Sequence, residues 1–237
     1  MPCSKKENNR YLMLDYSTLL AGGEINRITG QNEKLGGINM PEYRLQTPIS
    51  KEDIKKLKIG DTVFLSGTIY MARDAAHKRM VELLENKEPL PVNLKGEIIF
   101  YAGPCPPKPG QVIGPVAPTT AFRMDPYAPA MYKYGVVGTI GKGPRRDLVK
   151  ESCKKYGAIS FAAIGGLSTI LSRRVKAVQV VAYDDLGPEA IRRLEVQDFP
   201  LLVAYDSNGE DLYQQEIAKY ENYNQKTNKG AVGHEKI

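Results

Sequence analysis

The chain has 237 residues, 42% hydrophobic and 25% charged, with a formal net charge of +6, a pI near 9.0, three cysteines and two histidines. That composition supports one globular domain with appendages and excludes a disordered or fibrous chain. No apolar run approaches the length of a membrane span and no signal-peptide h-region opens the chain, so the cytoplasm is the expected compartment. The basic excess is interleaved with acids, as in KKLKIGD, RRLEVQD and KYENYNQK. It reads as a mixed solvated surface, not a phosphate-tracking stripe, which leaves an anionic small molecule or an acidic partner.

Residues 1–40 form an irregular extension, with one apolar patch (Tyr11 to Leu20) before a Gly/Asn/Gln-rich stretch. Leu35-Gly36-Gly37, shortly before Met40, is what a purine-rich ribosome-binding site encodes when read in frame. Met40 is therefore expected as the native start and the residues before it as leader, with a docking arm as the competing reading. The domain proper is expected over 41–223 and a flexible tail over 224–237. Ser50 and Asp53 resemble a capping box opening the helix SKEDIKKL, stopped by Gly60. DTVFLSGTIYMA (61–72) reads as a strand or hairpin edge, and RDAAHKRMVELLENK (73–87) as a helix with Ala76, Met80, Leu83 and Leu84 on one face.

GEIIFYAG (96–103) is a buried strand leading into a proline-rich loop, and APAMYKYG a short helix. VVGTIGKG is a strand running into a glycine turn, RRDLVKESCKKYG a helix closed by Gly157, and AISFAAIGG a strand. GLSTILSRRV is a short apolar helix. KAVQVVAYDDLG (176–187), RLEVQDF and PLLVAYDSNG (200–209) are further strands, and EDLYQQEIAKYENY (210–223) is a helix. Strands and helices alternate, so the fold class is α/β with a single compact domain.

Cys3, Cys105 and Cys153 are odd in number, widely spaced and without a CxxC, which argues against a disulfide framework and against a metal cluster built by this chain alone. Cys153 reads as a buried small hydrophobe and Cys105 as a loop spacer. Neither GTIGKG (138–143) nor AAIGGLS has the spacing of a phosphate loop. Gly165-Gly166 at a helix start either binds an anion or merely allows a tight turn.

The most informative run is GPVAPTTAFRMDPY (114–127), where Thr119, Thr120 and Arg123 sit among glycine and prolines. Arg73, Arg123 and Lys142 each stand beside a turn, and turns at one edge of an α/β sheet converge on ligands. Together they suit a small dianion: arginine offers a planar fork to a carboxylate and lysine a point charge. Taken singly, each is equally a surface charge. Asp74 is placed to cap the helix that follows. His77, one turn past Arg73, is expected in structural support. Thr119 and Thr120 are either turn residues or hydroxyls whose alkoxide neighbouring cations stabilise.

SGTIYMARDAAHKR, GPVAPTTAFRMDPY, GTIGKG, KYGAISFAAIGG and VVAYDDLGPEAIRRLEVQDFPLLVAYDSNGEDLY resemble, in order and spacing, the β subunit or C-terminal domain of class I iron–sulfur fumarate hydratases. The L(+)-tartrate dehydratase β subunit is similar too. The resemblance covers roughly 41–213 and implies a swivelling β/β/α domain. It implies an α-subunit partner, in a heterodimer or heterotetramer, whose cysteines hold a 4Fe–4S cluster with one open iron acting as Lewis acid on the substrate hydroxyl. By the same resemblance Arg73, Arg123 and Lys142 are ligands of a dicarboxylate substrate and Thr119 the catalytic base, with Asp74, His77 and Thr120 in support and no metal on this chain. The sequence departs from the family pattern at Ala117, where GPTT is usual, and at Phe122, where small residues are common.

The expected activity is reversible hydration of fumarate to (S)-malate in the company of the α subunit. The alternatives are dehydration of L-tartrate and, from another class, a non-catalytic anion-binding or docking module. Neither nucleic acid nor membrane is an expected partner.

Overall fold

A computed structural model describes residues 41–164 and 166–231, with side chains described as far as 221. The expected leader or arm over 1–40 lies outside them, as does Gly165. Among the described residues no helix is long and apolar enough to cross a membrane.

The chain opens with β1 (Glu42–Gln46), not anticipated from the sequence because its alternation runs between exposed and half-buried residues. Helix α1 (Lys51–Lys56) is capped as expected: Ser50 Oγ accepts the Asp53 N–H at 3.0 Å. Then follow β2 (Thr62–Met71), α2 (Asp74–Glu85), β3 (Ile98–Phe100), β4 (Ala102–Pro104) and β5 (Val116–Pro118). A 3-10 turn (Ala121–Met124), α3 (Ala128–Tyr134), β6 (Gly138–Gly141), α4 (Asp147–Tyr156), β7 (Ile159–Ala162) and α5 (Ser168–Arg173) come next. The chain ends with β8 (Val175–Ala182), a 3-10 segment (Asp184–Glu189), β9 (Ile191–Tyr205) and α6 (Leu212–Ala231).

Seven strands form one sheet in the order β1-β2-β3-β6-β7-β9-β8, and β2 also pairs with β9. The β2–β9 ladder runs from Thr62↔Leu202 to Met71↔Arg192 and closes five strands into a ring. β2 is thus an interior strand, not a hairpin edge, with β1 and β3 sharing its other side. The segments RLEVQDF and PLLVAYDSNG are one strand, β9. Asp198, with φ of 48°, and Pro200 look like a break in the sequence, yet the ladder continues across both. Conversely, the strand expected over 96–103 divides at Tyr101, and Ala102–Pro104 pairs with β5 in a separate hairpin.

Period-two alternation sorts the apolar residues. Ile98 and Phe100 join Leu65, Ile140, Phe161 and Val203 inside the ring, where Phe100 meets Phe199 edge-to-face. Ile99 and Tyr101 face the other way, against Met80 of α2, Met131 of α3 and Val149 and Cys153 of α4. Burial pushes the Cys153 thiol up to about 12, so it packs as a neutral apolar group, as expected.

The ladder shifts register between Leu65 and Gly67. Gly67 has φ of 103°, and a β-carbon there would stand 2.3 Å from Thr47 Oγ1. Gly67→Ala is expected to lower unfolding stability by roughly 1–3 kcal/mol through strain and overpacking. An unchanged urea midpoint would count against that account of the bulge.

Candidate active site

β2, β3, β6 and β7 run parallel, so their carboxyl ends share one rim of the ring. Ligands gather at that rim in α/β folds. Arg73 follows β2 as the N-cap of α2. Lys142 follows β6. The 114–127 loop returns to the same rim because its backbone is tied there. The Thr119 N–H donates to the Tyr101 carbonyl (2.7 Å), the Lys142 N–H to the Thr119 carbonyl (3.1 Å) and the Ala121 N–H to the Lys142 carbonyl (2.8 Å). Gly141 lets these segments touch, since a β-carbon there would stand 2.7 Å from that of Ala121. The glycines of GTIGKG thus serve a strand and a turn, and α5 after Gly166 has only six residues.

The two arginines meet on one carboxylate. Arg123 Nη2 lies 2.9 Å from Asp74 Oδ1, and Arg73 Nε lies 3.6 Å from Asp74 Oδ2. Arg73 also faces Glu189 at 3.6 Å, and both of its ion pairs are too long for hydrogen bonds. Arg73 Nε and Asp74 Oδ2 are buried without a hydrogen-bond partner. Arg123 is 46% exposed along its side chain, so its remaining donors face solvent. Thr119 is half-buried, while Thr120 and Lys142 are exposed. The structure therefore brings Arg73, Arg123 and Asp74 together through side chains. Thr119, Thr120 and Lys142 come together through backbone, including a Thr120–Lys142 bridge.

Glu189, which sequence reasoning missed, accepts the Ala75 N–H at 2.9 Å and so caps α2, the task expected of Asp74. Its charge lies 114 residues away in sequence, and no local pattern announces it. Also missed was the pair of Asp125 and Arg145, whose side chains are 0% and 1% exposed and joined through Arg145 Nε. Asp125 Oδ2 further accepts the Arg146 N–H at 2.8 Å. The only hint was position: Asp125 stands in FRMDPY, and Arg145 precedes a helix that actually starts at Asp147.

His77 is fully buried, with its ring edge-on to Tyr101 at 5.2 Å. Nδ1 lies 2.8 Å from the Arg73 carbonyl, which can only accept, so Nδ1 carries the proton and Nε2 is an unpartnered acceptor. Of the departures from the family pattern, Ala117 lies in extended β5 opposite Gly103, where alanine is unstrained. The exposed ring of Phe122 lies 4.8 Å from the Arg146 guanidinium.

The sequence profile of the fumarase C-terminus family matches residues 24–216. The chain belongs to that family. The match begins within the extension, ahead of the span 41–213 over which the resemblance is read. Fumarate hydratase 2 of Leishmania major is 37% identical over 193 residues, covering 76% of this chain and 34% of that protein. A putative L(+)-tartrate dehydratase subunit beta of Methanocaldococcus jannaschii is 40% identical over 184 residues, covering 75% of this chain and 94% of its relative. The L(+)-tartrate dehydratase subunit beta of Escherichia coli K12 is 35% identical over 173 residues, with 71% and 85% covered. The chain thus spans about a third of the fumarate hydratase and most of each β subunit.

The donor set described does not suit a 4Fe–4S cluster. Among the described residues no three His, Cys, Asp or Glu side chains converge on a metal position, and Cys105 and Cys153 are free, one exposed and one buried.

Burial lowers the His77 pKa from 6.5 to about 4. Between those values the unfolded chain binds the proton and the folded chain does not, so stability falls as pH drops from 6.5 towards 4. The contribution is roughly 3 kcal/mol over that window. Denaturant titrations of wild type and His77→Gln at pH 7 and pH 4 should show the variant lacking that share of the loss. Equal losses would place a charged imidazole in the fold.

Proposed function

We propose that this chain is the β subunit of a hydro-lyase that adds water reversibly to fumarate, giving (S)-malate, with an α subunit as its partner. The observation that carries the reading is the meeting of Arg73 and Arg123, from two loops, on the single carboxylate of Asp74. A place that already holds a carboxylate between two guanidiniums suits a diacid. One substrate carboxylate takes donors of Arg123 beside the Arg73 guanidinium, and Lys142 adds charge from the neighbouring loop.

Removing water from malate requires loss of a proton from the carbon next to a carboxylate. Negative charge then spreads onto that carboxylate, where charge-assisted hydrogen bonds strengthen. Thr119 Oγ1 is the candidate base, its alkoxide stabilised by the same cations, and it returns the proton in hydration. His77 stays neutral and holds the backbone of Arg73, and Thr120 continues the segment that ties Thr119 to Lys142. The cluster and the acid are assigned to the α subunit, since the donors described on this chain do not suit a cluster. The near full-length match to two tartrate dehydratase β subunits favours this division between two chains. The same match supports a second reading, dehydration of L-tartrate to oxaloacetate.

The test is an anaerobic assay of the co-purified pair, reconstituted with iron and sulfide, against fumarate, malate and tartrate. Fumarate hydration by the pair, with none by this chain alone, is expected. Turnover of tartrate only would select the second reading, and turnover of none would leave an anion-binding docking module. Within an active pair, Arg123→Ala should cost roughly 2–4 kcal/mol in kcat/KM. Thr119→Val should lower kcat by about 10²–10⁴ while KM moves little. An unchanged kcat/KM in the first, or sustained turnover in the second, removes the role given to that residue.

A further inference from the structure

Two segments that carry the candidate site, 119–125 and 142–146, are joined at two places. One is the backbone ladder among Thr119, Ala121 and Lys142. The other is the buried contact of Asp125 with Arg145, and Arg123 hangs between the two joints. The 3-10 turn that presents Arg123 is short, and its first residue, after Thr120, has no side-chain cap, so its pitch depends on what anchors its ends. At its far end Asp125 is held doubly, by Arg145 Nε and by the Arg146 N–H.

Arg145 is in turn fixed from the ring. Its Nη1 approaches Ser160 Oγ of β7 at 3.3 Å and Thr139 Oγ1 of β6 at 3.4 Å. Its own N–H donates to the Tyr205 hydroxyl of β9 at 2.7 Å, and its guanidinium lies 5.4 Å over the Tyr101 ring. Four strands of the sheet or their immediate ends therefore converge on Arg145, three of them on its guanidinium, and that guanidinium holds the loop bearing Arg123.

We propose that Asp125 and Arg145 are positioning residues: their buried pair sets where Arg123 and Lys142 stand on the rim, without either touching substrate. The inference rests on the diacid reading above for its catalytic consequence, and on geometry alone for its structural one. A pair kept only for stability would be replaceable, because apolar residues of similar volume often substitute for a buried ion pair at no loss of stability. A positioning pair would not be replaceable in the same way, because no apolar contact reproduces the directed hold on the Arg146 N–H and on Arg145.

The test compares wild type with Asp125→Leu/Arg145→Met and with Asp125→Asn, each as the full chain and as the pair with its α subunit. The double variant should melt within a few degrees of wild type. Hydrogen exchange at the Ala121 and Lys142 amides should nevertheless quicken by about tenfold or more, with the β2–β9 ladder unchanged. In the assembled pair kcat/KM should fall by about 100-fold, with KM rising along with the fall in kcat, since misplaced ligands weaken both binding and orientation. A folded double variant with wild-type exchange and kcat/KM within about threefold of wild type overturns the proposal. Should the double variant not fold, Asp125→Asn decides on the same exchange readout: faster exchange at Ala121 and Lys142 supports it and unchanged exchange overturns it. If the wild-type pair turns over none of the diacids, the reaction assigned above fails, and exchange alone decides whether the pair positions the two segments.

Discussion

The common direction of β2, β3, β6 and β7 is the constraint on which the arrangement at the rim depends. Parallel neighbours deliver their carboxyl ends to one side, and closure through the β2–β9 ladder keeps those ends from splaying. Residues 46 and 23 positions apart in sequence then arrive at one rim, as Arg73, Thr119 and Lys142 do. β9 supplies the closure because it is long enough to pair with β2 from Arg192 to Leu202 and with β8 and β7 in turn along its other edge. The conformational entropy of ordering the 102–118 excursion is offset locally, by the β4–β5 hairpin and by the backbone bonds that return Thr119 to Tyr101.

Concentrating cations at that rim carries an electrostatic cost. Arg73 and Arg123 approach the same carboxylate, and without Asp74 and Glu189 their charges would repel across a half-buried gap. A neutral imidazole suits such a place better than a charged one. His77 braces the Arg73 carbonyl without adding to the positive charge, and burial holds it in that state. The same logic makes Asp74 a competitor as well as a support. Under the proposed reaction, a dianion entering between the guanidiniums shares them with a resident carboxylate, which favours ligands carrying two charges over those carrying one.

Much of the fold was legible because its signals are local. The capping box at Ser50, the apolar face of α2 and the αL glycine closing α4 at Gly157 all depend on residues within about a turn of one another. Errors came where local signals conflict with long-range pairing. Asp198 and Pro200 read as a turn, yet β2 on one side carries the strand through. Of the rim, the residues that could be seen were those whose chemistry is conspicuous in a glycine- and proline-rich loop. Asp125, Arg145 and Glu189 were not, because their partners stand 20 and 114 residues away, and a charge destined for the interior looks like any surface charge until the fold encloses it.

The departures from the family pattern bear on substrate choice differently from the cations. Fumarate, malate and tartrate share two carboxylates and differ at the two carbons between them. Under the proposed reaction, Arg73, Arg123 and Lys142 grip what these acids have in common and so discriminate little among them. Ala117 changes neither the extended backbone of β5 nor the bond that fixes Thr119, and the ring of Phe122 is engaged by Arg146. Discrimination therefore belongs to groups facing the middle carbons. On this chain the proposed reaction gives that place to the Thr119 hydroxyl, and a site built to hydrogen-bond a substrate hydroxyl rejects an analogue lacking it far more strongly than charge alone does.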